Sequence, residues 1–222
     1  MAIDYINKSF EGTSASATKG TNMGITAKAG SLLVLFVGAY VSSGSIGLSS
    51  VTDTKGNAWQ VLSNSGSAMA AIAWTRTSVA MTTSDVVVRN LSKTASGSWM
   101  SCHVFEKAGS TAIDTQVQSG TSAAAYLTPN VSGSDWLALS MAYWTSSTQM
   151  TTTEVDSSVN RDDSGSTGSP YAECWSKNGT GSSVQIGATT AAFKYRKMAA
   201  ITLPFLAMPG SGGRGTQSFF SQ

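Results

Sequence analysis

Ten consecutive residues, Leu32-Leu33-Val34-Leu35-Phe36-Val37-Gly38-Ala39-Tyr40-Val41, carry no charge and almost no polarity. The run is rich in β-formers and apolar at every position, so as a strand it has no face to give to water. A strand of this kind reads as central in a sandwich, covered on both sides. A second run, Trp136-Leu137-Ala138-Leu139-Ser140-Met141-Ala142-Tyr143-Trp144, has the same character. Between and around them lie further strand signals: Ile3 to Phe10, Ala58 to Leu62, Ala68 to Arg76, Asp85 to Leu91, Ser98 to Lys107 and Ile113 to Gln118. Gly-, Ser- and Thr-rich turns separate them, and few segments show helical periodicity. The fold class expected is all-β, an antiparallel, jelly-roll-like β-sandwich.

The second half of the chain repeats the order of the first. Gly133-Ser134 opens its long run as Gly30-Ser31 opens the other, and two serines follow each, Ser42-Ser43 and Ser146-Ser147. Ala172 to Lys177 echoes Ile72 to Arg76, Val184-Gln185-Ile186 echoes Val86-Val87-Val88, and a closing strand, Phe193 to Leu206, echoes Ser98 to Lys107. A period of about a hundred residues is too long for a solenoid. Two tandem small domains or two half-sandwiches around one core remain, and the short linker from Ser119 to Asn130 favours the second. The expected organisation is a sandwich over residues 1–208, with similar halves at about 25–107 and 133–206. A flexible Gly-rich C-terminal arm follows over 209–222. Within the arm, Arg214 and the aromatic tip Phe219-Phe220 are the candidate partner-binding residues.

Charged residues are only 12% of the 222, about half the usual share. Ser, Thr, Gly and Ala take their place, a surface with little repulsion to keep copies apart. A formal net charge of +2 gives no basic face for nucleic acid. No apolar run approaches the ~20 residues that span a bilayer. The N-terminus shows no basic region followed by an apolar stretch, which predicts synthesis in a cytoplasm without a signal peptide.

Catalytic and metal-binding chemistry is sparse. The one histidine, His103, lies in an apolar strand, where a surface or half-buried position is expected. No Cys/His cluster has zinc spacing, and no Gly-x-Ser-x-Gly elbow occurs. Cys102 and Cys174 are expected to be buried thiols, with one disulfide as the alternative. Gly210 to Gly215 matches a dinucleotide fingerprint but lacks the following helix that holds the pyrophosphate. Asn160 to Gly165 resembles a calcium loop, but Tyr171 stands where the bidentate Glu belongs, so a polar loop is expected. Asp85, Asp114, Asp135 and Asp156 sit where Asp caps local backbone. Lys194, Arg196 and Lys197 form the densest basic patch, expected on a solvated outer face. Trp59, Trp74, Trp99, Trp136, Trp144 and Trp175 all fall in strands and are expected mostly in the core. No cofactor and no metal are expected, and the chain is not expected to be an enzyme.

The ordered features resemble a family of β-sandwich modules common in phage and prophage-linked proteins. The residues that carry the likeness are Gly30 to Leu35, then Val51-Thr52-Asp53 followed by Gly56-Asn57-Ala58-Trp59. The strand ending at Trp74, Asp85 to Val88, Val104-Phe105-Glu106 and Ala200 to Leu203 complete it. The resemblance spans most of residues 25–206. It implies a virion structural protein: a capsid decoration (cement) protein, a dimer or trimer on the major capsid protein, or a tail, fibre or carbohydrate-binding module. No catalytic residues come with it, and fold analogy does not by itself fix function.

Overall fold

A computed structural model describes residues 3–120, 124–131, 135–144, 152–163, 171–190 and 196–206. Sixteen strands are described, and no helix among these residues. In the first half they are β1 (Asp4–Thr13), β2 (Thr18–Asn22), β3 (Leu32–Tyr40), β4 (Leu48–Asp53), β5 (Gln60–Ser63), β6 (Ala68–Arg76), β7 (Val86–Leu91) and β8 (Gly97–Glu106). In the second they are β9 (Asp114–Gly120), β10 (Ala124–Leu127), β11 (Trp136–Trp144), β12 (Thr152–Glu154), β13 (Val159–Asp163), β14 (Tyr171–Gly179), β15 (Ile186–Thr190) and β16 (Arg196–Pro204).

Each half closes the same way. In the first, a five-stranded sheet β1-β8-β3-β6-β5 faces a three-stranded sheet β2-β7-β4. In the second, β9-β16-β11-β14-β13 faces β10-β15-β12. Counted from its own first strand, each half has strands 1-8-3-6 opposite 2-7-4, the winding of a jelly roll. All described pairings are antiparallel, and no sheet mixes strands from the two halves.

Side-chain alternation shows how the layers stack. In β3, Leu33, Leu35, Val37 and Ala39 point toward the three-stranded sheet and pack with Val51, Val87 and Leu91. Leu32, Val34 and Phe36 point the other way, onto Leu137, Leu139, Met141, Ala199 and Ile201 of the second half. Trp136, Ala138, Ala142 and Trp144 then face the outer sheet of the second half, with Ile186 and Ala188. The molecule is therefore four layers with three cores, and the two five-stranded sheets are the inner pair. The central strands of the inner pair have no solvent face, which is why β3 carries no charge and β11 only Ser140 as a polar residue besides its aromatics. Sinking each Leu or Val of the middle core is worth roughly 1.5–3 kcal/mol, so that layer holds the halves together.

At Gly38 of one inner sheet, Tyr143 of the other packs directly on the backbone. A Cβ there would lie 2.0 Å from Cδ2 of Tyr143, whose ring lies against the bare backbone. Polar ties cross the same layer. Asn178 donates to the Ile3 carbonyl (2.5 Å) and Asn64 to the Met198 carbonyl (3.1 Å). Lys197, expected on a solvated face, is instead buried here and donates to the Ser65 carbonyl at 3.1 Å. Its backbone lies opposite Tyr143 in the β11–β16 register, so its side chain shares Tyr143's inward face.

Within the first half, the segment between β1 and β2 is fastened by Arg89. Its guanidinium donates to the carbonyls of Ser14, Ser16 and Ala17 and to Ser98 Oγ. Burial draws its pKa down to about 10, so it stays cationic at neutral pH and these bonds are charge-assisted.

Candidate interaction surface

The one histidine and both cysteines lie inside. His103, expected at or near the surface, has no exposed area and sits in the middle core between the two halves. The register places it opposite Val34, on the face of β8 that also holds Trp99 and Phe105. Its Nδ1 is 3.2 Å from Tyr5 Oη, and its Nε2 is 2.8 Å from Ser101 Oγ and 3.6 Å from Cys174 Sγ. Phe36 packs edge-on against the ring. Burial, aided by Lys8 and Arg161, pulls its pKa down to about 3, so it is neutral at physiological pH. A Cys–His contact can activate a thiol, but His103, Cys174 and Ser101 are all completely buried. No substrate can meet them without the halves parting, and the cluster serves to satisfy polar atoms within a core.

Cys102 and Cys174 are both free and buried. Cys102, on β8, belongs to the core of the first half and Cys174, on β14, to the core between halves, so they lie in different cores. Burial also raises the Cys102 pKa, which keeps it an unreactive thiol.

The Val-Thr-Asp…Gly-Asn-x-Trp motif forms a self-contained loop. Asp53 accepts from Lys55 N (2.8 Å), from Asn57 N and Nδ2, and from Trp59 Nε1 (2.7 Å). Gly56 supplies the positive φ, 69°, that turns the chain back. Asn57 Oδ1 then receives Ser78 N at 2.9 Å. The motif is explained by the turn that it makes. Beside it runs a surface cleft of about 520 Å³ lined by Asn57, Trp59, Gln60, Arg76, Ser78 and Ser110. A second, of about 550 Å³, is lined by Thr128, Asn130, Asp156, Ser183 and Gln185. Both offer hydrogen bonds to polar ligands.

Asp85 caps local backbone as expected and Asp114 accepts from the adjacent Thr115 N (2.8 Å), whereas the further bonds of Asp114 and that of Asp156 reach backbone distant in the chain. Asp85 accepts from Thr82 N (2.7 Å) and Thr54 Oγ1 (2.7 Å), Asp114 from Asn130 N (2.7 Å), and Asp156 from Gln185 N (3.3 Å). The Thr82 backbone bond and the Thr54 hydroxyl hold the Asp85 carboxyl well below the usual range. The calcium-like segment is not a loop at its start: Val159–Asp163 is strand β13. Arg161 donates to Ser176 Oγ and its guanidinium lies 4.0 Å from the Tyr5 ring centroid. Among the described residues no three His, Cys, Asp or Glu side chains gather as metal ligands.

Of the six tryptophans five are buried, as expected, and only Trp59 reaches partly to the surface. Arg214, Phe219 and Phe220 lie outside the described residues, as does Lys194.

What the outside does present is strand edges. Among the described residues the exposed large apolar side chains are Ile6, Val61, Val79, Val117 and Val159, and four of these five sit on edge strands of the inner sheets: β1, β5, β9 and β13. Sequence periodicity finds most of those strands but not their edge positions, which depend on the winding. The edges differ in how they are guarded. The registers of β1, β4 and β13 contain bulges. Strands β5, β10 and β12 have three or four residues, and β2 carries Lys19. Bulges, shortness and lysine are the usual protections against unwanted pairing. Strand β9 has none of them: seven residues in regular register on β16, with Asp114 at its start as the one charge. No family model, curated protein or solved structure matches the chain.

Proposed function

We propose that this protein is a bacteriophage virion structural protein: a capsid decoration, or cement, protein that seats on the major capsid protein as a homo-oligomer and stabilises the head. The observation that supports the reading is how the fold distributes its chemistry. The histidine and both thiols are enclosed in cores, while the exterior is poor in charge and carries an unguarded strand edge. Such a surface suits apolar contact and strand addition better than turnover of a substrate. Two jelly rolls are also joined through a shared core, and jelly rolls serve in viral capsids, though in lectins too. That last point is analogy of fold. In this reading Arg214, Phe219 and Phe220 of the C-terminal arm anchor the protein on its neighbour.

The alternative, a tail, fibre or carbohydrate-binding module, would use the cleft beside Trp59. It has less support, because the other tryptophans, which could have stacked on sugars, lie in cores. Mass spectrometry of gradient-purified phage particles from the source host tests the proposal. The chain is expected in the particles at a fixed ratio to the major capsid protein. Its absence from particles made while it is expressed would contradict the proposal.

A further inference from the structure

We infer that β9 is a self-pairing edge: two copies join β9 to β9 in antiparallel fashion about Val117, running the second-half inner sheet of each copy into one sheet of ten strands. This deepens the homo-oligomer part of the proposed function and does not depend on the capsid as partner. Three observations carry it. First, β9 pairs only with β16 among the described residues, so its other edge has no partner strand. Thr115, Val117, Gln118 and Ser119 are exposed along it, Val117 at 48%.

Second, β9 is unguarded where its counterpart is guarded. β1 holds the same place in the first half, yet its register slips twice, between Tyr5 and Asn7 and between Lys8 and Phe10. β9 runs without a slip from Asp114 opposite Thr202 to Gly120 opposite Arg196. A straight, unbulged edge is a template for a further strand.

Third, the strand complements itself. It reads Asp114-Thr115-Gln116-Val117-Gln118-Ser119-Gly120. Folded about Val117 against a second copy, Val meets Val, Gln116 meets Gln118, Thr115 meets Ser119 and Asp114 meets Gly120. Apolar faces apolar, hydroxyl faces hydroxyl, and no like charges stand opposite each other, which is what cross-strand pairing rewards. Asp114 is moreover held back by Asn130, at 2.7 Å to the backbone N and 3.2 Å to Nδ2. A two-fold axis through Val117 gives an isologous, closed pair and no filament from this edge.

Light scattering on the full chain after gel filtration is the test, run beside a truncated chain and three substitutions at Val117. The native chain is expected to be a dimer, and a chain lacking residues 209–222 to remain one. Val117→Lys sets two ammonium groups directly opposite each other, at a site exposed enough to leave the fold intact, and is expected to give monomers. Mixing Val117→Lys with Val117→Glu should restore a dimer that contains one of each. Val117→Cys should cross-link through residue 117 on mild oxidation, because directly opposed Cβ atoms lie ~5 Å apart. A native monomer at every concentration would overturn the inference. So would a dimer that V117K leaves intact, or one lost only on removing the arm. A V117K-sensitive dimer that is missing from purified virions would uphold the β9 pair and contradict the capsid reading alone.

Discussion

His103 shows at the scale of one residue what enclosing a titratable group does. It is the chain's one histidine, and burial holds its folded pKa near 3 against 6.5. The unfolded chain binds a proton near pH 6.5 and the folded one does not until about 3. Stability is therefore complete above about pH 6.5 and falls as pH drops toward 3, by ~1.4 kcal/mol per unit. Asp85 and Asp156, both held below their ordinary 3.8, lose their contributions only beneath that value. Urea denaturation between about pH 6 and 4.5 should show the slope in the native chain and a flat line in His103→Leu. Leu is the apt replacement because Leu203 takes the equivalent place opposite Leu137 in the second half. Asp53→Ala should cost about 2–3 kcal/mol, since it leaves the Trp59 and Asn57 donors without their acceptor. Its thermal midpoint should fall by roughly 2–4 °C for each kcal/mol. The turn at Asp53 was readable from Gly56-Asn57, but His103's burial was not. A polar residue in an apolar strand is equally consistent with an outer face until the other sheet is placed over it.

Among elements, the inner strands are the legible ones. Ala68–Arg76 stands where the apolar pattern puts it, and the two long charge-free runs are β3 and β11. The outer sheets are much harder to read. Thr18–Asn22 carries Lys19, Gly20 and Asn22, poor β-formers with little alternation, and β12 has only three residues. Ala124–Leu127, within the apparent linker, is strand β10. Register also corrects the matching of the halves. Cys174 stands opposite Met141 as Ala70 stands opposite Gly38. Trp175 thus faces the outer core of its half, while Trp74 faces the middle core, and their likeness in sequence is not a likeness of place. The contact of Gly38 with Tyr143 is where two elements from different halves set each other's distance. Gly38→Ala should destabilise by about 1–3 kcal/mol through overpacking. Combined with Tyr143→Ala it should cost at least ~1 kcal/mol less than the sum of the two. Additive costs in that cycle would place the ring elsewhere.

Taken whole, the molecule is two jelly rolls that share a third core between them. Neither half can present its inner sheet to water without exposing residues such as Leu32, Val34, Phe36, Leu137 and Ile201. Unfolding should accordingly be one calorimetric transition whose van't Hoff and measured enthalpies agree. Two separated transitions would mean that the middle core contributes little. A charge-poor block with its histidine and thiols enclosed and an open strand edge is suited to being bound in place. Co-sedimentation with phage capsids, with and without residues 209–222, asks that of the protein directly. The account predicts saturable binding at a fixed ratio to capsid subunits, lost when the arm is removed. Failure of the intact chain to sediment with capsids would contradict it.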